Sequence, residues 1–127
     1  MNLKTAPLYA SLACSWHWET FFDPSIEITE SGCSYLDTPY GKENGGVPDT
    51  RRINFFREEL AELARAIADG AWVRAFHAWS LLDNFEWADG YSQRYGLTYV
   101  DCRDQKRTAK DSGLWYGRVS ATNRLDV

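Results

Sequence analysis

Trp72-Val73-Arg74-Ala75-Phe76-His77-Ala78-Trp79-Ser80-Leu81-Leu82 is a nearly unbroken run of apolar and small residues. Such a run predicts a strand covered on both faces, as in a parallel sheet. It opens into Asp83-Asn84-Phe85-Glu86-Trp87-Ala88-Asp89-Gly90, a loop that mixes carboxylates with aromatic rings.

Upstream, Ile53, Phe56, Leu60, Leu63 and Ile67 recur at steps of three and four. That spacing predicts one apolar stripe of an amphipathic helix packed on a sheet. Asp49 or Thr50 can cap its start and Gly70 is a natural stop, while Glu58, Glu59, Glu62 and Arg65 lie mainly off the stripe on a solvated face. Earlier still, Ile26-Glu27-Ile28-Thr29 alternates apolar and polar and predicts a short strand ending at Glu30, stopped by Ser31-Gly32. Pro39, Gly41, Gly45-Gly46 and Pro48 mark a long loop after it. Downstream, a short strand around Leu97 to Val100 and a helix from about Ser112 to Ala121 complete the chain. The order is strand, long loop, helix, twice over: two βα units of a parallel α/β sheet. Residues 1–24 carry no clear periodicity, so the chain divides into an unassigned segment, 1–24, and an α/β portion, 25–127.

The chain has 127 residues, a formal charge of −4 and 44% apolar residues. The mild acidity argues against nucleic acid or anionic lipid as partner, and the apolar content argues against wholesale disorder. No apolar run approaches the ~20 residues that span a bilayer. Cys14, Cys33 and Cys102 are odd in number, far apart and without a Cys-x-x-Cys pair, which disfavours a disulfide framework or zinc site and suits a reducing cytoplasm. The start of the chain resembles only a very short signal segment, with one positive charge and a weak small-residue exit.

Aromatic residues make up 15% of the chain, and several sit beside Asp, Asn and Glu. Core packing explains such rings in general. A sugar site explains them too, since flat rings stack on pyranose faces while carboxylates hold hydroxyls. Both long loops follow the C-terminal ends of predicted strands, the end of a parallel sheet where active sites are built. Glu30 falls at the end of the first strand, and Trp79, Glu86 and Trp87 at or beyond the end of the second. Adjacent strands would bring them into one pocket. A carboxylate fixed there suits a glycosidase nucleophile, which attacks an anomeric carbon.

Ile26-Glu27-Ile28-Thr29-Glu30-Ser31-Gly32 resembles the I-T-E-N-G nucleophile motif of family 1 glycoside hydrolases, the β-glucosidase family. Trp79-Ser80-Leu81-Leu82-Asp83-Asn84-Phe85-Glu86-Trp87 matches that family's glycone-site motif in full. Gly90-Tyr91, Arg94-Tyr95-Gly96-Leu97, Tyr99-Val100-Asp101, Gln105-Lys106-Arg107-Thr108, Lys110-Asp111-Ser112-Gly113 and Trp115-Tyr116 follow the same pattern. The resemblance implies a fold: the βα units around strands seven and eight of a (β/α)8 TIM barrel, incomplete in this chain. It also implies roles. Glu30 corresponds to the catalytic nucleophile, Trp79 to the platform under the reacting sugar, and Glu86 to the carboxylate that accepts the O4 and O6 hydroxyls. Trp87 corresponds to a neighbouring indole donor and Tyr95 to an aromatic near the glycone.

Phospho-glycosidases of the family carry a small residue at the position of Glu86, where a carboxylate would repel a 6-phosphate. The implied substrate is therefore an unphosphorylated β-glucoside, or a β-galactoside or β-fucoside. No metal or cofactor is implied. His17 has no second ligand at metal spacing, and His77 reads as a packed or hydrogen-bonded interior residue.

The chain departs from the family at Ser31 (usually Asn), Trp72, Cys102 and Ala109, and residues 1–24 do not resemble the segment that precedes the nucleophile strand. The family's acid/base Glu, in a T-x-N-E-P motif on the fourth strand, has no counterpart. Glu43-Asn44 has the order reversed, and His17-Trp18 lies in the wrong neighbourhood for the family's early sugar contacts. The expectation is a truncated β-glucosidase, with open sheet edges and an uncovered apolar face, that needs the missing N-terminal half of the barrel. The alternative is a non-catalytic remnant that binds sugar weakly at most.

Overall fold

The computed structural model describes residues 25–39 and 46–125. In chain order these form β1 (Ile26–Ser31), α1 (Thr50–Ala68), β2 (Val73–Ala78), β3 (Thr98–Val100), β4 (Arg107–Ala109) and α2 (Asp111–Thr122). Cys14, His17 and its neighbouring tryptophans, and Glu43-Asn44 lie outside the described residues. β1 and β2 pair in parallel, with α1 in the connection between them. The expected succession of two βα units is present.

The register of that pair is irregular in a useful way. Ile26 faces Val73 but Glu27 faces Ala75, so Arg74 is an extra residue on β2. Ile28 faces Phe76 but Ser31 faces Ala78, so the extra residue near the end of the pair falls on β1. Simple alternation would turn Glu30 to the same side as Ile26 and Ile28. The bulge breaks the alternation, and Thr29 and Glu30 are both exposed.

β2 is shorter than the apolar run that predicted it, and it is not covered on both faces. One face packs through Phe76 and Ala78 on Phe56, Leu97 and Trp115, and Val73 packs with Ile26 on Ala66 and Ala71. The other face carries Glu27, Thr29 and His77, all exposed. His77 Nε2 lies 2.6 Å from Glu27 Oε1, so this histidine is hydrogen-bonded as expected but not interior. The uncovered sheet face is thus polar, and exposed apolar side chains gather elsewhere: at Leu81, Phe85, Trp87 and Tyr91 in the loop, and at Ile67 and Leu114 on the helices.

In α1 the buried positions are Arg52, Phe56, Glu59, Leu63 and Ala66, a stripe rotated from the apolar one. Ile67 is 47% exposed and Glu59 is buried. The reason lies at the first turn. Arg52 is drawn into a buried cluster of charges, and that fixes the rotation of the helix behind it. Phe56, fully buried one turn later, contributes about 2–3 kcal/mol from the area it removes from water.

The segment Leu97 to Val100 does not enter the parallel sheet. β3 pairs antiparallel with β4, a three-residue strand with no sequence pattern of its own, and it meets the segment beyond β2 through a bridge between Leu82 and Thr98. Asp49 precedes α1 as expected, but its carboxylate makes no cap there. It accepts the backbone N–H of Ser112 at 2.8 Å and the Ser112 hydroxyl, and so caps the start of α2 instead.

Candidate active site

The candidate site lies where β1 and β2 both end. The backbone N–H of Trp79 donates to the Ser31 carbonyl at 2.7 Å, carrying the contact between the strands one residue past the last sheet pair. Glu30 is the residue before Ser31, exposed at the bulge; Trp79 is the residue after Ala78, 37% exposed. The Trp79–Ser80 peptide is cis.

Gly32 makes this approach possible. A β-carbon there would lie 1.9 Å from the Trp79 carbonyl oxygen, so only glycine allows the two backbones to come together.

Beyond Trp79 the chain loops out and returns. Ser80 N–H donates to the Tyr95 carbonyl at 3.3 Å, and Leu97 N–H donates to the Ser80 carbonyl at 2.8 Å. Ser80 Oγ donates to the Leu82 carbonyl at 2.7 Å and accepts from the Asn84 amide at 3.2 Å. Glu86 sits at a tight reversal, its N–H donating to the Gly90 carbonyl at 2.8 Å, with Gly90 in the left-handed region at φ 62°. This turn brings the Glu86 carboxylate back to Trp79, whose indole Nε1 donates to Oε1 at 3.4 Å.

Of the five residues singled out from the sequence, Trp79 and Glu86 are therefore in contact, and Tyr95 is joined to the same loop through its carbonyl. Trp87 projects outward, 96% exposed. Glu30 stands at the neighbouring strand end.

The sequence reading did not single out the charges beneath these loops. Lys110 Nζ, fully buried, lies 2.6 Å from Asp37 Oδ2 and 2.8 Å from Asp83 Oδ1. Arg52, also fully buried, pairs with Asp37 at 2.7 Å and with Asp49. Burial alone would push the Arg52 guanidinium down, but Asp37 and Asp49 outweigh it and hold the group above its ordinary value. Arg94 lies 3.4 Å from the second oxygen of Asp83. Asp83 is the acidic residue in the middle of the glycone motif, and Lys110 and Arg94 are members of the downstream pattern. The pairing of Lys110 with Asp83 and with Asp37, across separations of 27 and 73 residues, had no local signal.

Cys33 and Cys102 are free thiols, and burial pushes the Cys33 thiol up, away from the nucleophilic thiolate. Among the described residues no group of three or more His, Cys, Asp or Glu is placed to hold a metal ion, and no helix is long and apolar enough to cross a membrane.

The sequence model of glycosyl hydrolase family 1 matches residues 6–125, so the match takes in residues 6–24, in which the sequence reading found no likeness to the family. The chain belongs to glycosyl hydrolase family 1. Within that family it is 45% identical over 107 residues to a 1,4-β-D-glucan glucohydrolase of Thermotoga neapolitana, covering 84% of this chain and 24% of the relative. It is 43% identical to a 6-phospho-β-galactosidase of Streptococcus equi subsp. zooepidemicus, covering 80% and 21%. The structure of the family 1 β-glucosidase from Thermotoga maritima matches 94% of this chain at a TM-score of 0.84 and 40% identity, with 26% of that enzyme covered. These structural neighbours are (β/α)8 barrels, so the family 1 chain is part of one. It spans about a quarter of the length of the relatives it matches.

Proposed function

We propose that this chain carries the nucleophile and one wall of the glycone site of a retaining β-glucosidase, with β1 and β2 as the seventh and eighth strands of the barrel. The observation that supports this reading best is the bulge at the end of β1. It exposes Glu30 at the strand end, beside the end of β2, where Trp79 and Glu86 are already in contact.

In the proposed reaction the Glu30 carboxylate attacks the anomeric carbon of a β-glycoside. A C–O ester bond to Glu30 forms as the glycosidic bond breaks, and the leaving oxygen departs with the bonding pair. Water then cleaves the glycosyl ester and regenerates the carboxylate. Trp79 offers a stacking face to the sugar ring, Glu86 accepts its distal hydroxyls, Trp87 donates an indole N–H, and Tyr95 flanks the glycone. An alkoxide leaving group needs a proton. The carboxylic acid that supplies it, about 5–5.5 Å from the nucleophile in retaining enzymes, belongs to the part of the barrel that this chain lacks.

The relatives include both β-glucosidases and 6-phospho-β-galactosidases at similar identity, so overall similarity does not select the substrate. The Glu86 carboxylate does: it favours an unphosphorylated terminal β-glucoside, or the related galactoside or fucoside, because it repels a phosphate dianion.

An activated aryl 2-deoxy-2-fluoro-β-glucoside tests the reading, since its aryloxide leaves without acid assistance. The expected result is one glycosyl adduct in the intact mass, mapped to Glu30 and lost in Glu30→Gln. No adduct on this chain, alone or mixed with a polypeptide bearing the first six strands of a family 1 barrel, overturns it in favour of a non-catalytic remnant.

A further inference from the structure

We propose that Lys110 is a positioning residue whose ammonium sets the loop that carries Glu86 in register with the loop that follows Glu30. The functional consequence rests on the glycosidase reading above; the structural claim does not.

The two loops meet on this one nitrogen. Asp37 lies seven residues after Glu30, and Asp83 three residues before Glu86; Lys110 Nζ holds the first at 2.6 Å and the second at 2.8 Å. Lys110 itself is fixed, because it is the residue before α2 and its backbone N–H donates to the Leu97 carbonyl at 3.0 Å. Its side chain is fully buried, as is that of Arg52, which lies 2.7 Å from the same Asp37 oxygen, Oδ2.

Burying an ammonium is costly, and an apolar side chain would fill the same space more cheaply. An apolar side chain, however, has no directional preference for two carboxylates on separate loops. Asp83 also transmits the constraint: Oδ1 accepts the Gly96 N–H at 2.9 Å, and Oδ2 faces Arg94 Nη1 and the Val100 N–H, each at 3.4 Å. Its carboxylate thus ties residue 83 to both 96 and 100, closing the base of the loop whose tip bears Glu86 and Trp87. Gly96 is required there, since a β-carbon would lie 2.2 Å from the Asp83 nitrogen.

Asp37, Asp49 and Asp83 face Arg52, Arg94 and Lys110, three charges of each sign. Removing Lys110 alone leaves two buried carboxylates short of a partner, and Lys110→Met is expected to unfold. Lys110→Met combined with Asp37→Asn removes one charge of each sign and keeps the cluster balanced, so this double variant is the informative one.

Amide hydrogen exchange on the 127-residue chain decides the matter. A positioning role predicts that the amides of Trp79, Ser80, Asp83 and Gly96 exchange at least tenfold faster in the double variant, while the interior amides of α1 and α2 change less than twofold. Unchanged loop amides overturn the proposal. So does a common acceleration of loops and helices, or a double variant that does not fold, because the cluster is then a support of the whole fold.

A second readout follows inactivation by the 2-fluoro glucoside. The concentration for half-maximal inactivation is expected to rise at least tenfold, with the limiting rate within threefold. An unsubstituted chain that takes no label defeats the glycosidase reading while the exchange result still decides the role of Lys110.

Discussion

A β-carbon on Gly32 would lie 1.9 Å from the carbonyl oxygen of Trp79, so the loop after β1 and the end of β2 touch through their backbones. The neighbouring hydrogen bond, from Trp79 N–H to the Ser31 carbonyl at 2.7 Å, has the same origin. Gly32→Ala must push one strand end away from the other, and it is expected to cost about 2–3 kcal/mol. Gly117 supplies the control. It lies inside α2 with nothing within 4 Å of an added methyl, and Gly117→Ala is expected to gain about 0.5–1 kcal/mol. Urea unfolding of the two variants should therefore move in opposite directions; equal midpoints would contradict the close approach.

Asp49 holds two helices with one carboxylate. It precedes α1, pairs with Arg52 in the first turn, and accepts both the N–H and the hydroxyl of Ser112 at the start of α2. Asp49→Ala leaves the buried Arg52 guanidinium with Asp37 as its one carboxylate, beside the Cys33 and Arg94 carbonyls, and is expected to cost about 3–5 kcal/mol. Asp49→Asn keeps an acceptor and loses the charge, at about 2 kcal/mol, and Ser112→Ala removes one hydroxyl, at about 1 kcal/mol. Thermal unfolding should rank the three in that order, and a Ser112→Ala variant worse than Asp49→Ala would refute the double role of this carboxylate.

Glu59 makes stability depend on pH with a definite sign. Its burial, then the charges of Glu58 and Glu62, push its carboxyl above the ordinary value. Between the ordinary and the raised value the folded chain binds more protons than the unfolded one, so stability falls as pH rises through that window. The penalty is complete above the folded pKa and absent below the ordinary carboxylate range. Glu59→Gln is expected to raise the unfolding midpoint at about pH 7 and to lose that advantage at about pH 4. A gain that is the same at both pH values would assign the effect to packing rather than to charge.

The two βα units were legible because strands and helix starts carry local signals: β-branched alternation at Ile26 to Thr29, a three-and-four periodicity after Asp49. What those signals miss is where a local pattern yields to a distant partner. The periodicity of α1 gave a stripe through Ile53, Leu60 and Ile67, but Arg52 is drawn to Asp37 and Asp49 and turns the helix so that Glu59 is buried instead. Alternation would place Glu30 on the side of Ile26 and Ile28, and a single extra residue on β1 interrupts it and leaves Thr29 and Glu30 both exposed. The residues of the candidate site were legible in their motifs, since side-chain identity is what a motif records. The cation joining their loops was not, because Lys110 meets Asp37 across 73 residues.

Glu86 is the residue on which substrate choice is expected to turn. The Gly90 reversal holds its backbone, and its carboxylate lies 3.4 Å from the Trp79 indole at the strand end. Two like unit charges about 4 Å apart repel by roughly 4 kcal/mol near a protein surface, and a 6-phosphate carries up to two. A neutral hydroxyl at the same position instead gains a charge-assisted hydrogen bond of about 1.5–3 kcal/mol. Glu86→Ser removes both effects. The second-order rate of Glu30 labelling by the 2-fluoro glucoside should fall tenfold or more, and labelling by its 6-phosphate should rise relative to it by at least tenfold. If the ratio of the two rates is unchanged in Glu86→Ser, this carboxylate does not face the distal end of the sugar.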